Sequence, residues 1–495
     1  MKFTGENKVV QKLLRLLPWL IIFVGAVTRI IVWFQNRNLF IDEANVARNI
    51  YERNFAGLAR PLSYEQYAPP VFLWFTKISA SLFGYSEMAL RIVPVLSGIG
   101  ALIMLFFLLR KFTGYKALWY PLALMAVSYI LIRYSSELKQ YMTDAFVVLS
   151  LMVLALKTDL LQLSAKKFTL IWFLAGSIAI WGSMPSVFAL AGVGCYYLFI
   201  CLHAKTYQKI YPLAIVAVLW VAQFAFYYLA ILKPQANSNY LQNFHQGYFM
   251  FLIPTDKAKL LHNWYLFRTL LQETSGYAGL SWKVNTMLFL LGIVVLLRKQ
   301  TARGLLVVVP ILAVFLAAGL HQYSLIPRVG IFIMPLILIL IGCGFNSLLS
   351  IRFLPLQLLL VFFGLRAVHD HSMVRPMIKE PYQFETITEE MDLLKQHGIM
   401  GPQLYIHNGT VPAYIYYTEI HPQKDQWKPL LGGHRLAWDC NVDSLAQHLQ
   451  PPVAFIYTSL SGEELQEYKE KIGKYLKLDT FVEADQRRCF IYIYK

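Results

Sequence analysis

About eleven stretches of this chain are apolar over lengths that favour a lipid bilayer as their surroundings. They lie near residues 18–34, 88–110, 117–133, 144–157, 168–183, 186–203, 211–231, 285–297, 304–319, 329–349 and 353–369. A crossing helix needs roughly 20 apolar residues, and soluble domains seldom contain such runs. Of the 495 residues 57% are hydrophobic and only 15% charged, against about 25% charged in soluble domains. The chain therefore reads as mainly α, a polytopic transmembrane helical domain of about eleven spans over residues 1–370. No small-residue cleavage site follows the first run, so no cleavable signal is expected.

The net charge of +17 has a topological cause rather than a nucleic-acid partner, because the Lys and Arg residues sit in short connections between runs. Lys2, Lys8, Lys12 and Arg15 precede the first run. Arg110, Lys111 and Lys116 then follow the second, and Lys157, Lys166 and Lys167 the fourth. Lys205 and Lys209, then Arg298, Lys299 and Arg303, and finally Arg352 continue the alternation. The opposite turn from Trp181 to Val187 carries none. The expected orientation is a cytoplasmic N-terminus and, with an odd number of spans, an extracytoplasmic C-terminal part. The apolar segment 69–83 would invert every later loop if it crossed. It is expected to lie in the outer interface, with Pro69-Pro70 in its first turn.

With that orientation the unusual polar residues gather on the outer side. The first outer loop, 35–87, holds Asp42-Glu43 just beyond the first run, and then Tyr67. A sheltered carboxylate at the mouth of the bilayer is placed to take a proton from a hydroxyl. The bland reading of Asp42 is a helix N-cap for a surface helix 43–51. The next outer stretch runs from Arg133 to Asp144; if helical, it places Tyr134, Glu137, Tyr141 and Asp144 on one face, with Arg133 and Glu137 four apart for pairing. A large outer loop, 232–284, carries His245, Asp256, His262, Trp264 and Tyr265 and reads as an interface-lying flap. Its histidines lack metal-ligand spacing. Finally His321–Arg328 leads into the tenth run, with Arg328 either snorkelling or gripping a phosphate.

Residues 371–495 are soluble in composition. Helix 384–397, strand 403–407, helix 410–418, strand 452–458, helix 462–476 and strand 488–494 make a small extracytoplasmic α/β domain. It would cover the membrane cavity, select the acceptor, or be passive. Cys195, Cys201 and Cys343 fall in apolar runs as core residues. Cys440 and Cys489 are candidates for a disulfide if that domain meets an oxidising compartment.

Asp42-Glu43, then Tyr67-Ala68-Pro69-Pro70-Val71-Phe72-Leu73, then Leu82 to Pro94 (LFGYSEMALRIVP), in that order, resemble the C-type glycosyltransferases of membranes. The nearest branch is the bacterial relatives of protein O-mannosyltransferases and of the aminoarabinose transferase that modifies lipid A. The stretches Arg133–Asp144 and Tyr323–Pro335 match more loosely, and the resemblance covers about residues 15–350. It implies a polyprenyl-phosphate-linked sugar as donor, inverting transfer to a hydroxyl acceptor, and an outer-face site in a bacterial cytoplasmic membrane. By the same resemblance Asp42 is the base, Glu43 of the same motif is expected to be catalytic beside it, and Asp144 helps shape the site. No cofactor is required; a divalent metal is compatible but not indicated. Chemistry assigns Arg328 and Lys139 to the departing phosphate, with Tyr323 as a hydrogen-bond donor. Tyr67, Arg133, Glu137 and Tyr141 complete the expected substrate-binding set. A raised Asp42 pKa would make it a stronger base. The alternatives are an outer-face glycan ligase or polymerase, a lipid-linked sugar transporter, and a membrane scaffold. Midplane positions that are mainly apolar, and no visible repeat, disfavour transport.

Overall fold

The computed structural model describes residues 8–236, 238–379, 385–458, 460, 462–482 and 489–495. Lys2, residues 384 and 488 at the expected element starts, and the side chains of Lys8 and Cys489 lie outside what is described, and with Cys489 the proposed disulfide.

The chain is a helical bundle followed by a small sheet domain. Among the described residues, seven helices are long and apolar enough to cross a membrane: Gln11–Phe34, Ile92–Phe112, Ser186–His203, Tyr207–Leu232, Gly279–Lys299, Thr301–Gly319 and Val329–Leu349. The other four expected runs are helical but shorter, broken or diluted by charge. Run 117–133 divides into Trp119–Val127 and Tyr129–Arg133, run 144–157 lies in the 17-residue helix Tyr141–Lys157, and runs 168–183 and 353–369 lie in Ala165–Gly182 and Leu354–His371. The expected interface segment is the helix Pro70–Phe83. At 14 residues it spans about 21 Å, too short for a hydrocarbon core of about 30 Å. It buries Phe72, Leu73 and Ala80 and exposes Phe75, Ile78, Leu82 and Phe83.

Val329–Leu349 runs through the middle of the bundle, with 89% of its apolar window buried. Its tightest neighbour is Gly279–Lys299. A Cβ on Gly292 would stand 1.9 Å from the Leu340 carbonyl oxygen, and one on Gly344 would stand 2.0 Å from that of Leu288. Only glycine at both positions lets the two backbones approach so closely.

The division at Ser128 has a specific support that sequence reading missed. Ser128 is extended (φ −65°, ψ 129°), which leaves carbonyls at the end of Trp119–Val127 without helical donors. The fully buried Arg29, on the first helix, donates to the carbonyls of Met125 (3.2 Å), Ala126 (3.3 Å) and its own turn at Gly25 (3.0 Å), and to Ser135 Oγ (3.0 Å). A cation at a helix C-terminus also complements the negative end of its dipole. The backbone N–H of Met373 donates to the freed carbonyl of Val127 at 3.1 Å.

In the C-terminal domain five strands, β1 (Leu404–His407), β2 (His434–Leu436), β3 (Val453–Thr458), β4 (Leu478–Val482) and β5 (Cys489–Tyr494), form a sheet in the order β2-β1-β3-β5-β4. β1 pairs in parallel with β2 and β3, whereas β5 is antiparallel to β3 and β4. β2 and β4 escape sequence reading, the first because three residues carry no period, the second because its alternation is mixed with charge. The domain is not a loose appendage. Its Ile387, Met391, Tyr416 and Tyr417 share one hydrophobic cluster with Leu39, Val46 and Phe72 of the first loop and with Leu90 just beyond it.

Candidate active site

The first helix ends at Phe34, and a short extended link leads into Ile41–Glu52. Phe40 is the N-cap residue and its side chain makes no capping bond, so the expected Asp42 cap is corrected: Asp42 stands one residue inside the helix. Its side chain, 28% exposed, is free of capping duty. Asp42 Oδ2 lies 3.6 Å from Arg328 Nη1 and 3.8 Å from Lys139 Nζ. Both distances exceed the roughly 2.7–2.9 Å of a tight charged hydrogen bond, so the three groups face one another without closing on one another. Lys139 Nζ also donates to Gln66 Oε1 at 2.8 Å.

Glu43 occupies a different environment from its neighbour. It is 2% exposed, as is Arg91. Arg91 Nε and Nη2 donate to its two carboxylate oxygens at 2.9 and 2.8 Å, and the Leu138 backbone N–H donates to Oε1 at 2.6 Å. Arg91 also donates to the carbonyls of Arg37 (2.6 Å) and Asn38 (3.3 Å). Glu43, expected to share in catalysis, has both carboxylate oxygens engaged by Arg91 and by the Leu138 N–H. Its carboxylate ties the helix of Asp42 to the loop of Lys139.

That loop is not the continuous helix that would put Tyr134, Glu137, Tyr141 and Asp144 on one face. The helix stops at Arg133, residues 134–140 turn irregularly, and a new helix starts at Tyr141. The loop is clamped instead by side chains from the first helix and link. Arg37 donates to the carbonyl and hydroxyl of Ser136 (3.0 and 2.8 Å), and Arg29 holds Ser135. The expected Arg133–Glu137 pair does form, at 2.6 Å. Tyr134 and Tyr141 meet edge to face at 5.1 Å.

Arg328 ends the loop before the central helix, whose first turn is Val329–Ile333. Its guanidinium faces the Tyr134 hydroxyl and lies 5.5 Å from the ring centre of Phe244. Arg328 lines a cavity of about 260 Å³ together with Tyr129, Arg133, Tyr134, Phe244 and Glu273. Tyr323 is corrected as a free donor: its hydroxyl donates to the Val329 carbonyl at 3.0 Å, which shapes the turn that presents Arg328. Tyr67 is half-buried in the fields of both Arg328 and Asp144. In the 232–284 segment, Asp256 caps the helix Lys257–Ser275 through Lys259 N, and His262 contacts the Phe249 carbonyl at 2.9 Å, both local structural roles.

The electrostatics of Asp42 run opposite to expectation. Burial pushes its carboxyl up, but Lys139, Arg328 and a hydrogen bond with Gln66 outweigh it and hold the group below the ordinary carboxylate value. Burial pulls the Lys139 ammonium down, and Asp42 only partly restores it. Asp42 is therefore ionised near neutral pH.

The C-terminal domain meets the same end of the bundle. The Leu39 N–H donates to the Tyr417 hydroxyl (2.9 Å), which itself donates to Glu87 Oε1 (2.7 Å), and His421 contacts Glu87 Oε2 at 3.1 Å.

A multi-pass helical bundle with a carboxylate–cation cluster at one mouth and a sheet domain docked there has the C-type glycosyltransferase fold. The fold is similar, in particular, to that of ArnT from Cupriavidus metallidurans bound to undecaprenyl phosphate, with a TM-score of 0.54, 15% identity, and 96% of this chain and 98% of that chain covered. The apo state of the same protein gives 0.52 at 15% identity, covering 96% and 97%. No protein-family model matches the chain. No curated protein matches it either.

Proposed function

We propose that this chain is an inverting glycosyltransferase that moves a sugar from a polyprenyl-phosphate donor to a hydroxyl of a glycolipid, glycan or protein, at the outer face of a bacterial cytoplasmic membrane. One observation carries the reading: Asp42, ionised and partly exposed, faces Arg328 and Lys139 across gaps of 3.6 and 3.8 Å. The resemblance of the first outer loop and the fold shared with a protein bound to undecaprenyl phosphate add support.

Asp42 takes the acceptor proton as the acceptor oxygen bonds to the anomeric carbon. The bond from that carbon to the phosphate oxygen breaks, and its electron pair leaves with polyprenyl phosphate. Arg328 and Lys139 offset the charge that grows on that oxygen. Attack opposite the leaving group inverts the anomeric centre, and no covalent enzyme intermediate forms. The outward orientation of this end rests on the basic connections of the opposite end, where Arg303 reaches the Lys111 carbonyl at 3.4 Å.

The test is to incubate purified full-length protein with radiolabelled undecaprenyl-phosphate pentoses and hexoses and an envelope extract. Label appearing in a glycoside, with release of undecaprenyl phosphate, is the expected result. No transfer from any of them, together with no binding of undecaprenyl phosphate, would overturn the proposal.

A further inference from the structure

Beyond Asp42 and its cations, a second polar cluster is built from Asp144, Ser183, Ser186 and Tyr227, three of which no motif had singled out. Asp144 stands in the first turn of Tyr141–Lys157. Ser183 and Ser186 form the turn between Ala165–Gly182 and Ser186–His203, closed by a hydrogen bond from the Ser186 N–H to the Ser183 carbonyl at 3.2 Å. Tyr227 ends the helix Ile210–Tyr227 and packs on Trp181 with ring centres 5.3 Å apart. Ser183 lies beside Asp144, and Tyr227 lies in the field of Asp144 and Tyr67. Phe188, one turn further on, meets the ring of Tyr323 edge to face at 5.3 Å.

These side chains are buried: Ser183, Ser186 and Tyr227 show no exposure, and Asp144 shows 5%. Yet Ser186 Oγ and the Tyr227 hydroxyl have no hydrogen-bond partner among the described residues, and Asp144 Oδ1 and Ser183 Oγ, whose side chains face each other, have no other. One orphaned buried polar atom costs about 1–3 kcal/mol, so a cluster of them calls for something that satisfies them. The cluster adjoins the proposed centre through Tyr67, which feels both Asp144 and Arg328.

We propose that Asp144, Ser183, Ser186 and Tyr227 form the subsite for the sugar ring of the donor, matched to sugar hydroxyls. The inference rests on the glycosyltransferase reading. Serine and tyrosine hydroxyls donate and accept, a carboxylate only accepts, and sugar hydroxyls satisfy both. Tyr67 and Tyr323 both lie in the field of Asp144. The sugar lies on the Asp144 side of Tyr67, the phosphate on the Arg328 side, and the anomeric carbon between them within reach of Asp42. The turn 183–186 then selects the sugar, while the cations select only the phosphate.

The experiment uses full-length protein in detergent, the undecaprenyl-phosphate sugar that wild type accepts, and its deoxy analogues. Ser183→Ala/Ser186→Ala and, separately, Tyr227→Phe should each raise the donor KM by about tenfold or more and erase the preference over at least one deoxy analogue. Binding of sugar-free undecaprenyl phosphate should change by less than about twofold, which also shows that the variants are folded. Unchanged KM and unchanged selectivity in both variants would overturn the sugar subsite while leaving the transferase reading intact. Wild type that neither binds undecaprenyl phosphate nor transfers sugar would overturn the parent reading and this one with it. Tyr227→Phe keeps the packing on Trp181, so it remains informative if the double variant does not fold.

Discussion

Arg91 holds Glu43 through two parallel hydrogen bonds of 2.9 and 2.8 Å in a site where each side chain is 2% exposed. The carboxylate beside the proposed base is thereby fixed, and with it the first turn of the helix that carries Asp42. Because Glu43 also accepts from the Leu138 N–H, the same pair sets where Lys139 begins. Breaking a buried ion pair by removing one partner costs about 3–5 kcal/mol. Arg91→Met is therefore expected to lower the melting temperature of the purified protein sharply and to reduce kcat. A variant with wild-type melting and turnover would show that the pair positions nothing.

Asp42→Asn removes the proton acceptor and keeps the shape. Transfer should fall by about 10²–10⁴-fold, the usual contribution of a general base, with undecaprenyl phosphate binding retained. Single-turnover measurements at saturating donor check this, and near-normal turnover would reject Asp42 as the base.

Arg328→Ala should weaken donor binding about tenfold or more, because a guanidinium on a phosphate is a charge-assisted contact. Titration with undecaprenyl phosphate measures it. Lys139→Met should weaken binding less and act more on kcat, since Lys139 is shared with Gln66.

The pH dependence follows from Asp42. A carboxyl held below its ordinary value keeps its charge above that value and loses it only as pH falls through the folded pKa. The acid limb of kcat should thus lie below the ordinary aspartate value of about 3.9, with no fall between pH 7 and pH 5 from this group. Lys139→Met should move that limb upward. Glu87 behaves alike: burial raises it, but His421 and Tyr417 bring it below the ordinary value. Its contribution to the docking of the C-terminal domain is present above the ordinary carboxylate value and lost as pH falls through the folded one. Limited proteolysis across pH would report it.

Arg29→Leu leaves the carbonyls of Met125 and Ala126 without their donor, while Ser135 keeps only its bond to the Leu131 carbonyl. Each buried group left unpaired costs about 1–3 kcal/mol. Faster proteolysis within residues 134–140 is the expected readout, and unchanged protection would show that the break at Ser128 is held by other contacts.

The membrane class, the short apolar helix Pro70–Phe83, the α/β character of the C-terminal domain and the pairing of Arg133 with Glu137 were legible because each is local. Run length, a proline pair, alternating patterns and a four-residue spacing are properties of short segments. What escaped reading joins distant segments. Arg29 sits inside an apolar run, and its partners lie about a hundred residues away. Arg91 meets Glu43 across 48 positions, and Tyr417 meets Leu39 across 378. The buried polar cluster of Asp144, Ser183, Ser186 and Tyr227 comes from three separate parts of the chain, and serines in a tight turn give no signal of their own. Local composition determined that this chain enters a membrane and carries an acid at its mouth. Only the packing of the bundle decided that Asp42 faces cations while Glu43 is bound away in the interior, because side-chain environment depends on which helices meet, and adjacent residues on one helix turn about 100° apart.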